Sequence, residues 1–220
     1  MLQATDGQSG RVNSTWAIGW TGEIALAIAI DRVEAWYAER ARPAWFRLAD
    51  GWAAPAELAP ALAARGYAPD TRTLVMTRAL AAERADADVA IDAHPSDAFF
   101  QPMREAAPSA ADFVERRDVS SRAPAPRAFA MLGADGRPAA VGASVATDEL
   151  AMIFLMRTAS WAQRRGLARR VLHSLLAWAQ DNGAHTAFLQ VEAANGPAVD
   201  LYESEGFITA YSYVYWRQRA

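Results

Sequence analysis

The segment at residues 163–182 constrains the fold more than any other part of the chain. It begins Gln-Arg-Arg-Gly-Leu-Ala and continues as the clearest helical pattern of the sequence, which Asn182-Gly183 ends. Apolar residues recur on one face of this helix at Leu167, Val171, Leu175 and Trp178. A strand that runs into a glycine turn and then a helix directs several backbone N–H groups at one point, where the helix dipole also favours an anion. The segment therefore predicts a phosphate-binding turn.

In that turn, Gly166 would keep a Cβ atom away from the phosphates. The backbone N–H groups predicted to donate to a pyrophosphate belong to Arg164, Arg165, Gly166, Leu167 and Ala168, and the side chains that could pair with outer phosphates are Arg164, Arg165, Arg169 or Arg170. A solvated basic helix start explains the hexapeptide equally well. The turn matches neither the Gly-Lys-Ser/Thr phosphate loop nor the three-glycine dinucleotide turn.

A second motif occupies residues 195–207. It follows a strand that ends Leu-Gln-Val-Glu at residues 189–192, and Pro197 starts its helix. Together, the two motifs resemble those of the GNAT superfamily of acyl-CoA N-acyltransferases, whose pattern is Gln/Arg-x-x-Gly-x-Gly/Ala followed by Asn-x-x-Ala-x-x-Leu-Tyr-x-x-x-Gly-Phe. Residues 163–168 match the first part, and the second is matched by Asn195, Ala198, Leu201, Tyr202, Gly206 and Phe207.

The resemblance covers about residues 88–220 and implies an α/β fold with a mixed, mostly antiparallel sheet flanked by helices. We expect this catalytic domain at residues 86–220. Residues 1–82 show the same order of strand, helix, strand, helix and strand, and we interpret them as a degenerate GNAT-like half-repeat. Chance similarity between alanine-rich helices is the alternative. Leu62 stands where the second copy has Tyr202, so a true repeat would have lost its site.

Hydrophobic periodicity and turn residues predict the individual elements. A hairpin turn is predicted at residues 133–136, a linker at 81–88, and Thr21 as the N-cap of the first helix. Strands are predicted at residues 12–20, 44–49, 71–80, 89–91, 127–132, 138–147, 149–158, 185–192, 207–210 and 213–217. Helices are predicted at residues 24–40, 55–65, 96–106, 110–117, 167–182 and 197–205.

Carried over residue by residue, the resemblance implies how acetyl-CoA would be bound. The strand at 149–158 would diverge from the strand at 185–192, and its backbone would bind the pantetheine arm and polarise the acetyl carbonyl. Tyr202 would be the general acid for the CoA thiolate, although a plain core tyrosine is the alternative reading. Ala168 stands where many relatives have glycine and leaves slightly less room. The implied cofactor-binding residues are Met156, Arg157, Thr158, Gln163, Arg164, Arg165, Gly166, Leu167, Ala168 and Asn195.

The general base varies within the superfamily. Some relatives have a glutamate where this chain has Gln190, which cannot accept a proton. Glu192 lies two residues further along the same strand face, and Glu149 begins the opposite strand. Either could deprotonate an amine directly or through water, and Glu192 is our candidate. A surface glutamate is the alternative for both.

Composition removes several classes of protein. The chain has no cysteine, which excludes disulfides, thiolate metal sites and a thiol-linked acyl-enzyme, and so favours direct attack in a ternary complex. Its three histidines lack a short ligand spacing, and we expect no metal. A net charge of -3 gives no reason to expect nucleic-acid binding. With neither a signal peptide nor an apolar run long enough for a bilayer, we expect a cytoplasmic protein that binds no membrane.

The resemblance therefore predicts an acetyltransferase that moves acetyl from acetyl-CoA to an amine that the sequence does not identify. One alternative is a non-catalytic acyl-CoA-binding or sensor protein, which Gln190 keeps open. Another is an acyltransferase that uses longer acyl thioesters. The oligomeric state is open, with a homodimer as the form that the superfamily favours.

Overall fold

The computed structural model describes residues 1–3, 10–18, 20–51, 55–107 and 109–218. The chain divides into two compact units, which we describe separately. The first unit comprises Met1–Val75, Val191–Gly196 and Thr209–Ala220, and the second comprises Met76–Gln190 and Pro197–Ile208. Whether these units correspond to the predicted half-repeat and catalytic domain stays a prediction.

The first unit is a mixed sheet with two helices. Its elements are β1 (Thr15–Trp16), α1 (Leu26–Ala38), β2 (Phe46–Ala49), α2 (Leu58–Ala64), most of β3 (Tyr67–Ala79) and most of β9 (Ile208–Gln218). The strand order is β1-β2-β9-β3, with β1 parallel to β2 and β9 antiparallel to β2. Apolar residues of both helices form one core with the sheet: Ile30, Tyr37, Phe46, Leu58, Leu62 and Tyr67.

Three expectations for the first unit were wrong in detail. Instead of a strand at 12–20, the described residues form a 3-10 turn at Gly10–Val12 and the short β1, and residue 19 lies outside the described residues. Thr21 does not cap α1, which begins after Ala25 without a side-chain cap, because packing rather than capping stabilises this helix. The strands predicted at 207–210 and 213–217 form one continuous strand, β9. Between them, the backbone carbonyl of Ser212 accepts a hydrogen bond from the backbone N–H of Asp50.

The second unit has a mostly antiparallel sheet between helices, which confirms the predicted fold class. The strand order is β8-β7-β6-β5-β4, in which only the β7–β8 pair is parallel. Apart from the junction at Val191–Gly196, its elements are β4 (Ala90–Asp92), α3 (Gln101–Glu105), α4 (Ala110–Ser121), β5 (Arg127–Ala134), β6 (Arg137–Thr147), β7 (Leu150–Thr158), α5 (Leu167–Asp181), β8 (Thr186–Glu192) and α6 (Gly196–Ser204).

Helices cover both faces of this sheet. Since successive residues of a strand point to opposite faces, β6 contributes to two layers. Val141 and Ala143 pack with Phe99 and Phe129 on the α3 face. Gly142, between them, faces α5. The predicted hairpin turn is confirmed between β5 and β6, and the predicted linker at 81–88 forms neither helix nor strand.

Replacing Gly142 by alanine is expected to destabilise the fold by about 1–3 kcal/mol, because a larger side chain overpacks the α5 face. A Cβ atom at this position would lie 2.9 Å from Cδ1 of Leu175 and 3.2 Å from Cγ1 of Val171, and closer still to the sulfur of Met156. The midpoint of urea denaturation measures the change. Gly133→Ala is the control, since its Cβ would meet only the carbonyl oxygen of Arg137, at 3.5 Å. Equal midpoints for the two variants would contradict the packing argument.

Candidate functional site

The parallel strands β7 and β8 part in the middle of β7. Their pairing runs from Leu150–Thr186 to Ile153–Leu189, whereas β7 continues to Thr158. In the described part of the chain, no residue of β7 beyond Ile153 pairs with β8. The backbone groups on that edge of residues 154–158 therefore lack a strand partner, and such groups require another hydrogen-bonding partner. The predicted divergence of these strands is confirmed.

A β-bulge lies where the strands part. Val141 pairs with Arg157 and Ala143 with Phe154, so two residues of β7 oppose Gly142 alone. One of them, Leu155, has a φ of 55°, a conformation that costs a non-glycine residue about 1–3 kcal/mol. Bulges are frequent beside active sites, where they bend a strand and redirect its groups. Sequence reasoning missed this bulge, although a glycine inside a strand pattern is its usual signal.

The turn before α5 has the backbone expected of an anion site. Arg164 and Gly166 both have positive φ, of 59° and 75°. Gly166 is the N-cap of α5, and no described side chain accepts a hydrogen bond from the first-turn N–H groups. These groups need a ligand or water as partner. Successive N–H groups in such a turn form a concave surface that suits an anion.

The four arginines around this turn differ in their partners. Arg164 is exposed and makes no ion pair or hydrogen bond with any residue that the structure describes. The other three bind carboxylates: Arg165 binds Asp135 at 2.8 Å, Arg169 binds Glu205 at 2.5 Å, and Arg170 binds Asp86 at 2.5 Å. The Arg170 hydrogen bond lowers the pKa of Asp86 to about 2, so this pair is charged at neutral pH. Of these four arginines, Arg164 is therefore the one without a carboxylate partner among the described residues.

Tyr202 is buried on α6, with 7% of its surface exposed. Its ring lies 5.9 Å from that of Phe207, edge to face. Burial raises the pKa of Tyr202 to about 12, against a lowering by the positive charge of Arg157. The phenol is therefore protonated at neutral pH. Its hydroxyl makes no hydrogen bond to any described residue, so it can donate one to a ligand.

The remaining candidates lie on the strands and their junction. Met156, Arg157 and Thr158 are half-buried at the end of β7, and Arg157 interacts electrostatically with Tyr202. Glu192 and Asn195 belong to the Val191–Gly196 segment of the first unit, and both are exposed. The backbone N–H of Asn195 donates to the backbone carbonyl of Glu192 at 2.9 Å, which forms a turn between β8 and α6.

Across the described ranges, no group of three or more His, Cys, Asp or Glu side chains is placed to hold a metal ion. None of the helices formed by the same residues has both the length and the apolar character that a membrane crossing requires.

The family model and the solved structures that share this fold place the chain among the GNAT-type N-acetyltransferases. Solved structures share this fold. A GCN5-related N-acetyltransferase from Kribbella flavida is 19% identical, with 89% of this chain and 76% of that chain covered and a TM-score of 0.62. A GCN5-related N-acetyltransferase from Sphaerobacter thermophilus is 16% identical, with 86% of this chain and 66% of that chain covered and a TM-score of 0.65. A tandem GNAT protein from the clavulanic acid biosynthesis pathway is 13% identical, with 89% and 71% covered and a TM-score of 0.62.

The family model described as "Probable histone acetyltransferase Rv0428c C-terminal" matches residues 1–216, and the chain belongs to this family. A curated relative, the [ribosomal protein bS18]-alanine N-acetyltransferase of Salmonella typhimurium, is 38% identical over 76 residues. That match covers 34% of this chain and 51% of the relative, so the chain spans about half the length of the curated relative.

Proposed function

We propose that the chain transfers an acetyl group from acetyl-CoA to an amine by direct attack in a ternary complex. The observation that carries this proposal is the parting of β7 from β8 after the Ile153–Leu189 pair. It leaves backbone donors and acceptors on one strand edge, in the same unit as a helix start whose N–H groups lack a side-chain cap. An extended chain of amides with a diphosphate at one end has the matching chemistry.

In this proposal the cofactor is held mainly by backbone groups. Residues 156–158 hydrogen-bond the pantetheine arm and polarise the thioester carbonyl, and residues 163–168 bind the pyrophosphate. Arg164 pairs with an outer phosphate, because its guanidinium is not engaged with a carboxylate. Asn195 hydrogen-bonds the cofactor through its side-chain amide, since the residue is exposed.

The amine nitrogen attacks the thioester carbonyl carbon, a C–N bond forms, and the C–S bond then breaks. Glu192 takes the proton of the amine, directly or through water. Tyr202 donates a hydrogen bond, and then its proton, to the departing sulfur, and the phenol regains a proton from solvent once CoA has left while Glu192 releases its proton to solvent. The Tyr202 phenol, with a pKa of about 12, is a weaker acid than a thiol, whose pKa is about 8.5. Its main effect is therefore to stabilise, by hydrogen bonding, the negative charge that develops on the sulfur as the C–S bond breaks. Arg157 supports it by lowering the pKa of the phenol.

Protein amines are the acceptors to test first. The family description names histones, and the curated relative is named for an alanine of a ribosomal protein. Lysine side chains and protein N-termini are both primary amines, and the proposed attack requires no more than an unprotonated nitrogen. Small cationic amines, which the net charge of -3 favours, form the second group.

Acetyl-CoA is expected to raise the melting temperature of the protein, since a ligand at 100 times its Kd stabilises the folded state by about 2.7 kcal/mol. A screen of peptide and small amines for CoA thiol release then tests catalysis. Arg164→Met should weaken acetyl-CoA binding more than Arg165→Met, because Arg165 is already paired with Asp135. The proposal would be refuted if acetyl-CoA caused no stabilisation and no amine of the panel gave thiol release.

A non-catalytic acyl-CoA sensor is the second candidate, because Gln190 occupies a position where some relatives carry a base. In the structure Gln190 is half-buried in β8. Acetyl-CoA binding without thiol release against every amine of the panel would favour the sensor. Tighter binding of longer acyl thioesters in the same assay would favour the other alternative, an acyltransferase that uses longer acyl thioesters.

A further inference from the structure

One arginine of the first unit is buried without a counter-ion among the described residues. Arg47, in β2, has 4% of its surface exposed. Within the described residues it makes no ion pair and no hydrogen bond, and its Nε atom is enclosed without a partner. Removing a guanidinium from water without such partners costs several kcal/mol. A buried charge of this kind is explained most simply by an anion that binds there.

Two aromatic rings stack on the guanidinium of Arg47. Trp16 and Tyr215 are the cross-strand neighbours of Arg47, so the three side chains share one face of the sheet. The Cζ atom of Arg47 lies 4.3 Å from the ring centroid of Trp16 and 5.3 Å from that of Tyr213. Stacking of this kind orients the guanidinium but accepts none of its five N–H groups.

The charges around Arg47 also favour an anion. Arg11 acts electrostatically on Tyr215, and Arg217 stacks on Trp45 at 5.1 Å. Asp70 binds Arg217 at 2.7 Å, and no described carboxylate forms an ion pair with Arg47 itself. Burial raises the pKa of Tyr215, so its phenol is neutral and acts as a donor or acceptor. Within the described residues, this face therefore contributes no carboxylate to Arg47.

We propose that Arg47 anchors a binding site for the carboxylate of a small molecule, with Trp16 and Tyr215 contacting the rest of that molecule. The planar fork of a guanidinium matches a carboxylate in a bidentate pair. The aromatic side chains around it fit a flat, apolar body. This site lies within the first unit and goes beyond the proposed acetyl transfer, since it requires no acetyl-CoA.

Benzoate is the probe, with benzamide as its neutral isostere and benzylamine as the cation. Calorimetry on the full chain is expected to show that benzoate binds at least tenfold more tightly than either. Arg47→Met, which keeps the length and apolar stem of the side chain, is expected to lower benzoate affinity at least tenfold. Arg40→Met is the matched control, because Arg40 also stacks on a tryptophan, Trp36 at 3.8 Å, but is exposed.

The apo variant gives an independent readout. Removal of an uncompensated buried charge is expected to leave the Tm of Arg47→Met unchanged or raised, whereas a purely structural arginine would lower it. Equal affinity of the wild-type protein for benzoate and benzamide would overturn the proposal, and this comparison needs no variant to fold. Unchanged benzoate affinity in Arg47→Met would also overturn it. Phosphate binding as tightly as benzoate would overturn the assignment to a carboxylate.

Discussion

Replacing Tyr202 by phenylalanine is expected to lower kcat about 10²–10⁴-fold, the usual contribution of a general acid. Acetyl-CoA affinity should change by less than threefold, because the lost hydroxyl acts on the departing sulfur and not on the bound cofactor. The fold should tolerate the change. The ring keeps its edge contact with Phe207, and the hydroxyl leaves no described hydrogen-bond partner unsatisfied.

Steady-state thiol release and calorimetry with acetyl-CoA measure the two effects separately. Tyr67→Phe is the control, since it removes a buried phenol that hydrogen-bonds Glu34 in the first unit. The pH profile adds a second check. With its pKa raised to about 12, Tyr202 supplies its proton at every lower pH and loses it only as pH rises through that value. Full activity of the phenylalanine variant would remove Tyr202 from the mechanism.

Replacing Gly166 by valine is expected to weaken acetyl-CoA binding at least tenfold, which corresponds to about 1.4 kcal/mol. The φ of 75° costs a residue with a Cβ atom about 1–2 kcal/mol, so the turn would relax and move its N–H groups. Apart from the adjacent backbone, no described atom lies within 4 Å of the added Cβ. The side chain would therefore project into the space where the phosphates are proposed to lie.

Gly66→Val separates these two causes. Gly66 has a φ of 82° and equally open space around its Cβ position, but it follows α2 in the first unit. Both variants should lose similar stability in urea, whereas only Gly166→Val should lose acetyl-CoA affinity in calorimetry. Unaltered affinity in Gly166→Val would exclude this turn as the pyrophosphate site.

The features that local sequence determines could be predicted. Helix α5 was expected at 167–182 and runs from Leu167 to Asp181, because its apolar residues recur at helical spacing. The hairpin turn was expected at 133–136, where Asp135 and Gly136 adopt the positive φ angles of a tight turn. In both places a few neighbouring residues decide the backbone.

The features that depend on distant residues could not be predicted. The bulge at Leu155 arises from the pairing of β7 with β6, and the predicted helix at 96–106 shortens to Gln101–Glu105 as Phe99 and Phe100 enter the core. Nor does the turn motif reveal which arginines are engaged, since the partner of Arg170, Asp86, is far away in sequence. The burial of Arg47 likewise depends on the aromatic strand β9.

Strand β9 has a consequence for how the protein is made. It lies between β2 and β3 of the first unit, and its Tyr213 and Tyr215 pack there with Val75. The ribosome synthesises β9 only after residues 76–190, so the amino-terminal residues cannot complete their sheet when they emerge. Until then, the edge of β2 lacks its neighbour and can pair wrongly with another chain. The amino-terminal unit can therefore close its sheet only after almost the whole chain has been synthesised.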